Sequence, residues 1–190
     1  MKSGIIFIIS GPSGSGKTTL CEKVLKDTNI KKKIAKMVSV TTRQKREGEK
    51  CCRDYFFVSN KMFLYKKRSG HFLEAKKVFD NYYGTPKRAV KERLKKGKDV
   101  LLCIDVKGAK DVLKVFPAAV TIFVNTPSFS DLKNRLVSRG SESKKTTELR
   151  LKIAKSEMKE EKNYKYIVIN DKLSKATKEL EEIMLAELGA

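Results

Sequence analysis

The chain has 190 residues, enough for one domain with a sizeable core and small inserted lobes. Apolar residues make up 40%, and only 11 Gly and 4 Pro are present, which excludes a disordered, collagen-like or linker protein. The net charge is +21, but the lysines are scattered in pairs and triplets with few aromatics between them. That pattern describes a solvated surface rather than a nucleic-acid groove, and its field would still draw in small polyanions.

The apolar run 4–9 ends at a glycine-rich loop and reads as a buried parallel strand. It is too short for a signal peptide, and no stretch approaches the 18 apolar residues of a membrane span. Residues 17–26 read as a helix with Leu20, Val24 and Leu25 on one face. Short strands are expected at 35–40 and 54–58, separated by a polar, Arg-rich loop, then a short helix near 60–69. Thr85 and Pro86 fit an N-cap and first helical position, and Gly97 closes that helix. A buried strand over 99–105 is followed by a helix at 107–115, a strand at 120–124 and a helix at 127–139 that ends at Gly140. Residues 141–146 are polar, helix resumes to about 162, and a strand at 166–169 precedes an amphipathic helix at 173–188. Strands alternating with helices predict an α/β parallel sheet covered on both faces, and 41–85 breaks the alternation as an inserted lobe. The four cysteines, Cys21, Cys51, Cys52 and Cys103, contain no CxxC pair, and they read as reduced thiols of a cytosolic protein.

Gly11-Pro12-Ser13-Gly14-Ser15-Gly16-Lys17-Thr18 satisfies G-x-x-x-x-G-K-[ST] at every fixed position, between an apolar strand and a helix. The glycines turn backbone amides onto phosphate oxygens, and the helix adds its positive N-terminus. Lys17 can reach the β- and γ-phosphates, and the Thr18 hydroxyl can ligate Mg²⁺. The loop specifies ATP or GTP, not the reaction. The strand 100–104 ending at Asp105 has the form of a second element, an acid near the metal, though an ordinary strand ended by Asp reads the same way.

Further motifs follow at short range: Ser39-Val40-Thr41-Thr42-Arg43 leading to Arg46, Gly48 and Glu49; Asp54-Tyr55-Phe56-Phe57; Phe72-Leu73-Glu74; and Asn81-Tyr82-Tyr83-Gly84-Thr85. Together with the loop they resemble the guanylate kinases, from Ile6 to Asp171. The resemblance implies a P-loop NTPase three-layer core with a parallel sheet (1–36, 86–136 and 153–190), an inserted GMP-binding lobe at about 37–85 and a lid at about 137–152. It implies transfer of a phosphoryl group from ATP to GMP, giving ADP and GDP, with Mg²⁺, in purine nucleotide metabolism, with dGMP as a further candidate acceptor. The implied roles are GMP-phosphate binding for Arg43, Arg46, Tyr55 and Tyr83, and guanine reading for Ser39, Glu74 and Thr85, with Asp105 also on the GMP side. Arg135, Arg139 and Arg150 would close over the transferring group, and Asn170 would lie near the adenine. GMP and ATP are the expected partners; neither membrane nor nucleic acid is, and a monomer and a homodimer both stay open.

Residue chemistry supports those roles separately. Two arginines three apart in a loop can converge on one phosphate by bidentate forks. A carboxylate only accepts, and guanine offers two donors on one edge where adenine offers a lone pair, so Glu74 would favour guanine. The acceptor phosphate is already an anionic nucleophile, so no general base is needed and the single histidine, His71, is expected to be structural. The chain departs from the family's usual pattern at Cys52 and Asp80, where glycine is usual, and at Cys103, where the strand usually carries the first acid of Asp-x-Asp. Alternatives are another nucleoside-monophosphate kinase, a non-catalytic peptide-binding module of the same fold, and a P-loop protein acting on nucleic acid.

Overall fold

The computed structural model describes residues 3–138 and 144–189. Its central sheet is parallel, in the order β2-β7-β1-β8-β9, built from β1 (Ile6–Ser10), β2 (Ile34–Lys36), β7 (Asp99–Cys103), β8 (Val120–Asn125) and β9 (Tyr166–Ile169). Successive side chains of a strand point to opposite faces, and β1 is apolar on both because both faces are covered. Phe7 and Ile9 pack with Leu20, Val24, Leu180 and Met184. These come from α1 (Lys17–Val24) and α8 (Leu173–Gly189). Ile6 and Ile8 face the other way, against Val90, Leu94, Ala109 and Val112, supplied by α4 (Lys87–Lys95) and α5 (Val106–Val115). The register is tight, with Phe7 opposite Leu101 on one side and Val120 on the other. Because β1 is central, the loop that leaves its C-terminal end opens in the middle of one sheet edge, where ligands bind in such folds.

A second sheet, β4-β3-β6-β5, carries the interrupting segment: β3 (Ser39–Thr41), β4 (Tyr55–Phe57), β5 (Phe72–Val78) and β6 (Asn81–Pro86), with α3 (Asn60–Arg68) alongside. Its small core is an aromatic stack. The Phe63 ring lies 4.6 Å from Phe72 and 5.3 Å from Tyr82, nearly parallel to both. The Lys76–Asp111 ion pair ties β5 to α5. The remaining helices are α2 (Thr28–Lys33), α6 (Phe129–Val137) and α7 (Lys144–Met158); Leu132, Leu136 and Ala154 pack α6 on α7.

The structure differs from the sequence expectations in several places. The single strand at 35–40 is two strands in different sheets, because the chain leaves the central sheet at Met37 and enters the second at Ser39. The segment 72–86 is a β-hairpin, and α2 stands where no helix was expected; Asp27 caps it, accepting from the Asn29 and Ile30 amides. Thr85 does not cap α4. It lies in β6, its hydroxyl is committed elsewhere, and Pro86 is the N-cap without a side-chain bond. Helix α7 ends at Met158, and a 3₁₀ turn over Glu161–Asn163 replaces its expected last turn.

Candidate active site

The loop after β1 is shaped by three glycines with positive φ, Gly11, Gly14 and Gly16. A Cβ at Gly11 would stand 2.1 Å from the Val124 carbonyl oxygen, and one at Gly16 would stand 2.3 Å from Asn170 Nδ2. Only glycine permits these approaches. Asn170, at the end of β9, donates its amide to the Ser15 carbonyl (2.8 Å) and so braces the loop from below. Lys17 Nζ reaches back to the Pro12 carbonyl at 3.2 Å. Gly16→Ala, which combines a left-handed alanine with a collision on Asn170, is expected to lower stability by more than about 2 kcal/mol and to depress ATP binding. Thermal melts with and without ATP measure both.

Facing the loop across one cleft are Ser39, Arg46, Tyr55, Glu74, Tyr83, Cys103, Asp105 and Arg150. Glu74 is 6% exposed. The Thr85 hydroxyl, its cross-strand neighbour, donates to Oε1 at 2.7 Å. Burial pushes the Glu74 carboxyl up to about 7, with Asp105 adding to the rise and Thr85 opposing it. Gly108 of α5 lets the helix come close, since a Cβ there would meet Glu74 Oε2 at 3.1 Å. Asp105 caps α5 by accepting from the Gly108 amide at 2.7 Å. The Tyr55 and Tyr83 rings meet edge to face, 6.0 Å apart, and burial pushes the Tyr55 phenol up.

Arg43 and Arg135 stand outside this lining. Arg43 pairs with Glu49 at 2.7 Å and lies over Tyr55, 5.4 Å from its centroid. Arg135 donates to the Asn170 carbonyl at 2.7 Å. Thr85 meets the cleft only through its bond to Glu74. Arg139 lies outside the described residues. Arg150, on α7, lays its guanidinium 4.6 Å from the centroid of Phe79, at the tip of the β5–β6 hairpin.

Sequence reasoning overlooked two groups. Phe79 lines the cleft from a turn position with φ 55°, unusual for an aromatic residue. Glu157, two turns beyond Arg150 on α7, has its carboxyl pushed up to about 7 by burial, with Lys17 and the Ser13 amide opposing the rise. The seven-residue spacing from Arg150, which puts both on one helix face, was the available signal for Glu157. His71 lines a separate groove with Lys87, Arg88 and Lys91.

A sequence profile described as Guanylate kinase matches residues 3–187. The chain belongs to the guanylate kinase family. The guanylate kinase of Clostridioides difficile is 43% identical over 187 residues, which cover 98% of this chain and 90% of that protein. That of Hydrogenovibrio crunogenus is 43% identical, covering 99% and 90% respectively. The crystal structure of guanylate kinase from Anaplasma phagocytophilum superposes with a TM-score of 0.81 at 33% identity, over 98% of this chain and 87% of that one. As a guanylate kinase the chain is a transferase that moves a phosphoryl group from ATP to GMP. Among the described residues, no helix is long and apolar enough to cross a membrane.

Proposed function

We propose that the cleft runs this reaction with the acceptor on the second sheet and the donor on the glycine-rich loop. The observation that carries the assignment is the buried Glu74–Thr85 pair opening into the same cleft as Lys17. Glu74 accepts from the two donors on the guanine edge, and Ser39 and Thr85 complete that end. Arg43, Arg46, Tyr55 and Tyr83 hold the acceptor phosphate, whose anionic oxygen attacks the γ-phosphorus of ATP. A new P–O bond forms on GMP as the bond from the γ-phosphorus to the β-bridging oxygen breaks, leaving ADP. No proton has to be removed, so the residues work by position and charge. Lys17, Arg135, Arg139 and Arg150 offset the charge on the transferring group. Residues of about 37–85 form the acceptor lobe, those of about 137–152 the lid, and the rest the core. Asn170 keeps the loop in shape beside the adenine end.

The oxygen donor beside the loop is the Thr18 hydroxyl, with Asp105 in the same cleft and the Cys103 thiol where a second carboxylate is usual. Mg²⁺ keeps several waters and takes one or two protein oxygens plus phosphates, so this set fits it. When bound, it supplies further neutralisation of phosphate charge. Cys103→Asp is expected to lower the free Mg²⁺ needed for half-maximal turnover several-fold, read from a magnesium titration at saturating nucleotides. Four free thiols support placement in the reducing cytoplasm.

The deciding experiment is ADP release from ATP and Mg²⁺ with GMP, dGMP, AMP, CMP and UMP offered separately. Turnover confined to the guanine nucleotides is expected. Equal turnover with AMP would remove Glu74 from its role. A folded, ATP-binding protein inert towards every acceptor would instead be a binding module.

A further inference from the structure

Outside the nucleotide cleft, the acceptor lobe carries two adjacent thiols, Cys51 and Cys52, both exposed, with their sulfurs 3.5 Å apart. Neighbouring residues in extended chain point to opposite sides. Here Cys52 has φ 66°, and this left-handed turn swings its side chain round to the side of Cys51. The turn is held by several bonds. The Lys50 amide donates to Asp54 Oδ2 (2.7 Å), the Asp54 amide to the Lys50 carbonyl (3.1 Å), and the Cys52 amide to the Tyr55 carbonyl (3.0 Å). Arg53 closes it, pairing with Asp54 at 2.7 Å and donating to the Gly48 carbonyl at 2.9 Å. The catalytic scheme uses neither sulfur, and the left-handed conformation is one that a non-glycine residue adopts at a cost.

We propose that Cys51 and Cys52 form a two-sulfur chelating site for trivalent arsenicals. Soft thiolate sulfur selects soft, thiophilic centres over the hard cations that suit oxygen. In the condensation an arsenoxide R–As=O loses its oxygen and gains two As–S bonds. The two thiol protons leave with that oxygen as water, and nothing is oxidised or reduced. The contact with Cys52 and the Phe57 backbone hold the Cys51 thiol below its usual range, so the first sulfur to attack is also the more acidic one. The chelate closes without backbone movement because the sulfurs are already in contact.

Phenylarsine oxide, added to the full reduced chain under native conditions, is expected to give one adduct by intact mass. The adduct should survive excess 2-mercaptoethanol and be released by 2,3-dimercaptopropanol. Cys51→Ser and Cys52→Gly should each lose the monothiol-resistant adduct. Glycine keeps the left-handed turn, so an unchanged melting temperature separates loss of the site from loss of the fold. Cys21→Ser should keep the adduct. Retention in Cys52→Gly, or loss in Cys21→Ser, would place the arsenic on other thiols and overturn the proposal. A peptide copying 48–57 should bind about tenfold more weakly, because it must find the left-handed turn for itself. Equal affinity would show that the folded turn builds nothing and would overturn it as well.

Discussion

Glu74→Gln should abolish useful turnover with GMP while leaving the ATP site and the fold intact. The glutamine still accepts from Thr85 through its oxygen, but its amide then presents donors to the donors of guanine. Sites that leave buried polar groups mismatched discriminate by about 10⁴, and a fall of that order in kcat/KM for GMP is expected, with the ATP KM unchanged. A GMP kcat/KM within tenfold of the parent would remove Glu74 from guanine recognition. The raised carboxyl adds a pH signature. In the free protein Glu74 binds its proton until pH reaches about 7, and guanine needs the carboxylate. The kcat/KM for GMP should therefore fall as pH drops below about 7, before the acceptor phosphate takes up its own proton near pH ~6. In Glu74→Gln only the lower limb should remain. Stability follows the same group with its sign set by the raised value. Between the unfolded value near ~4.5 and about 7 the folded chain holds the extra proton, so this contribution is present at low pH and lost as pH rises through 7. The variant should lack that decline in a pH series of thermal melts.

Lys17→Ala should cost turnover about 10³-fold, the scale of a cation placed over a transferring phosphoryl group. Its ammonium bonds only to the Pro12 carbonyl among the contacts resolved for it, so the melting temperature should shift little. Glu157 sharpens the expectation. Lys17 holds the Glu157 carboxyl down, so removing the lysine leaves a half-buried carboxyl without that cation. Residual kcat should then fall further as pH rises past about 7, since loss of Lys17 moves the ionisation of Glu157 upward. Turnover within tenfold of the parent would mean that another cation covers the phosphates.

The glycine-rich loop was legible because its chemistry is local: eight consecutive residues, an apolar strand before and a helix after. The central strands were legible because burial on both faces leaves unbroken apolar runs. The β5–β6 hairpin was not. Its strand Phe72–Val78 carries Glu74, Lys76 and Lys77 in a thin lobe, and its two-residue turn is Phe79-Asp80 without the glycine that marks such turns. Helix α2 has one buried residue, Ile30, so no apolar periodicity exists to find; only its Asp27 cap was readable. Thr85 was misread because a threonine before a proline fits a cap and a strand equally well, and its partner Glu74 is eleven residues away. Guanine recognition by that pair came from resemblance and from the donor pattern of the base. The Glu157 contact with the loop depends on how α7 packs, which no local pattern records.

The Phe63–Phe72–Tyr82 stack has a consequence for how the molecule breathes. The central sheet is buried between two apolar layers, whereas the second sheet relies on a small core of three stacked rings. Amides of β3 and β6 should therefore exchange with solvent through local opening at a lower free energy than those of β1, β7 and β8. With guanine nucleotide bound across that lobe as proposed, occupancy should slow its opening in proportion to ligand concentration over Kd. The substrate thus acts as the missing part of a small core, and the lobe is most vulnerable to proteolysis when acceptor is scarce.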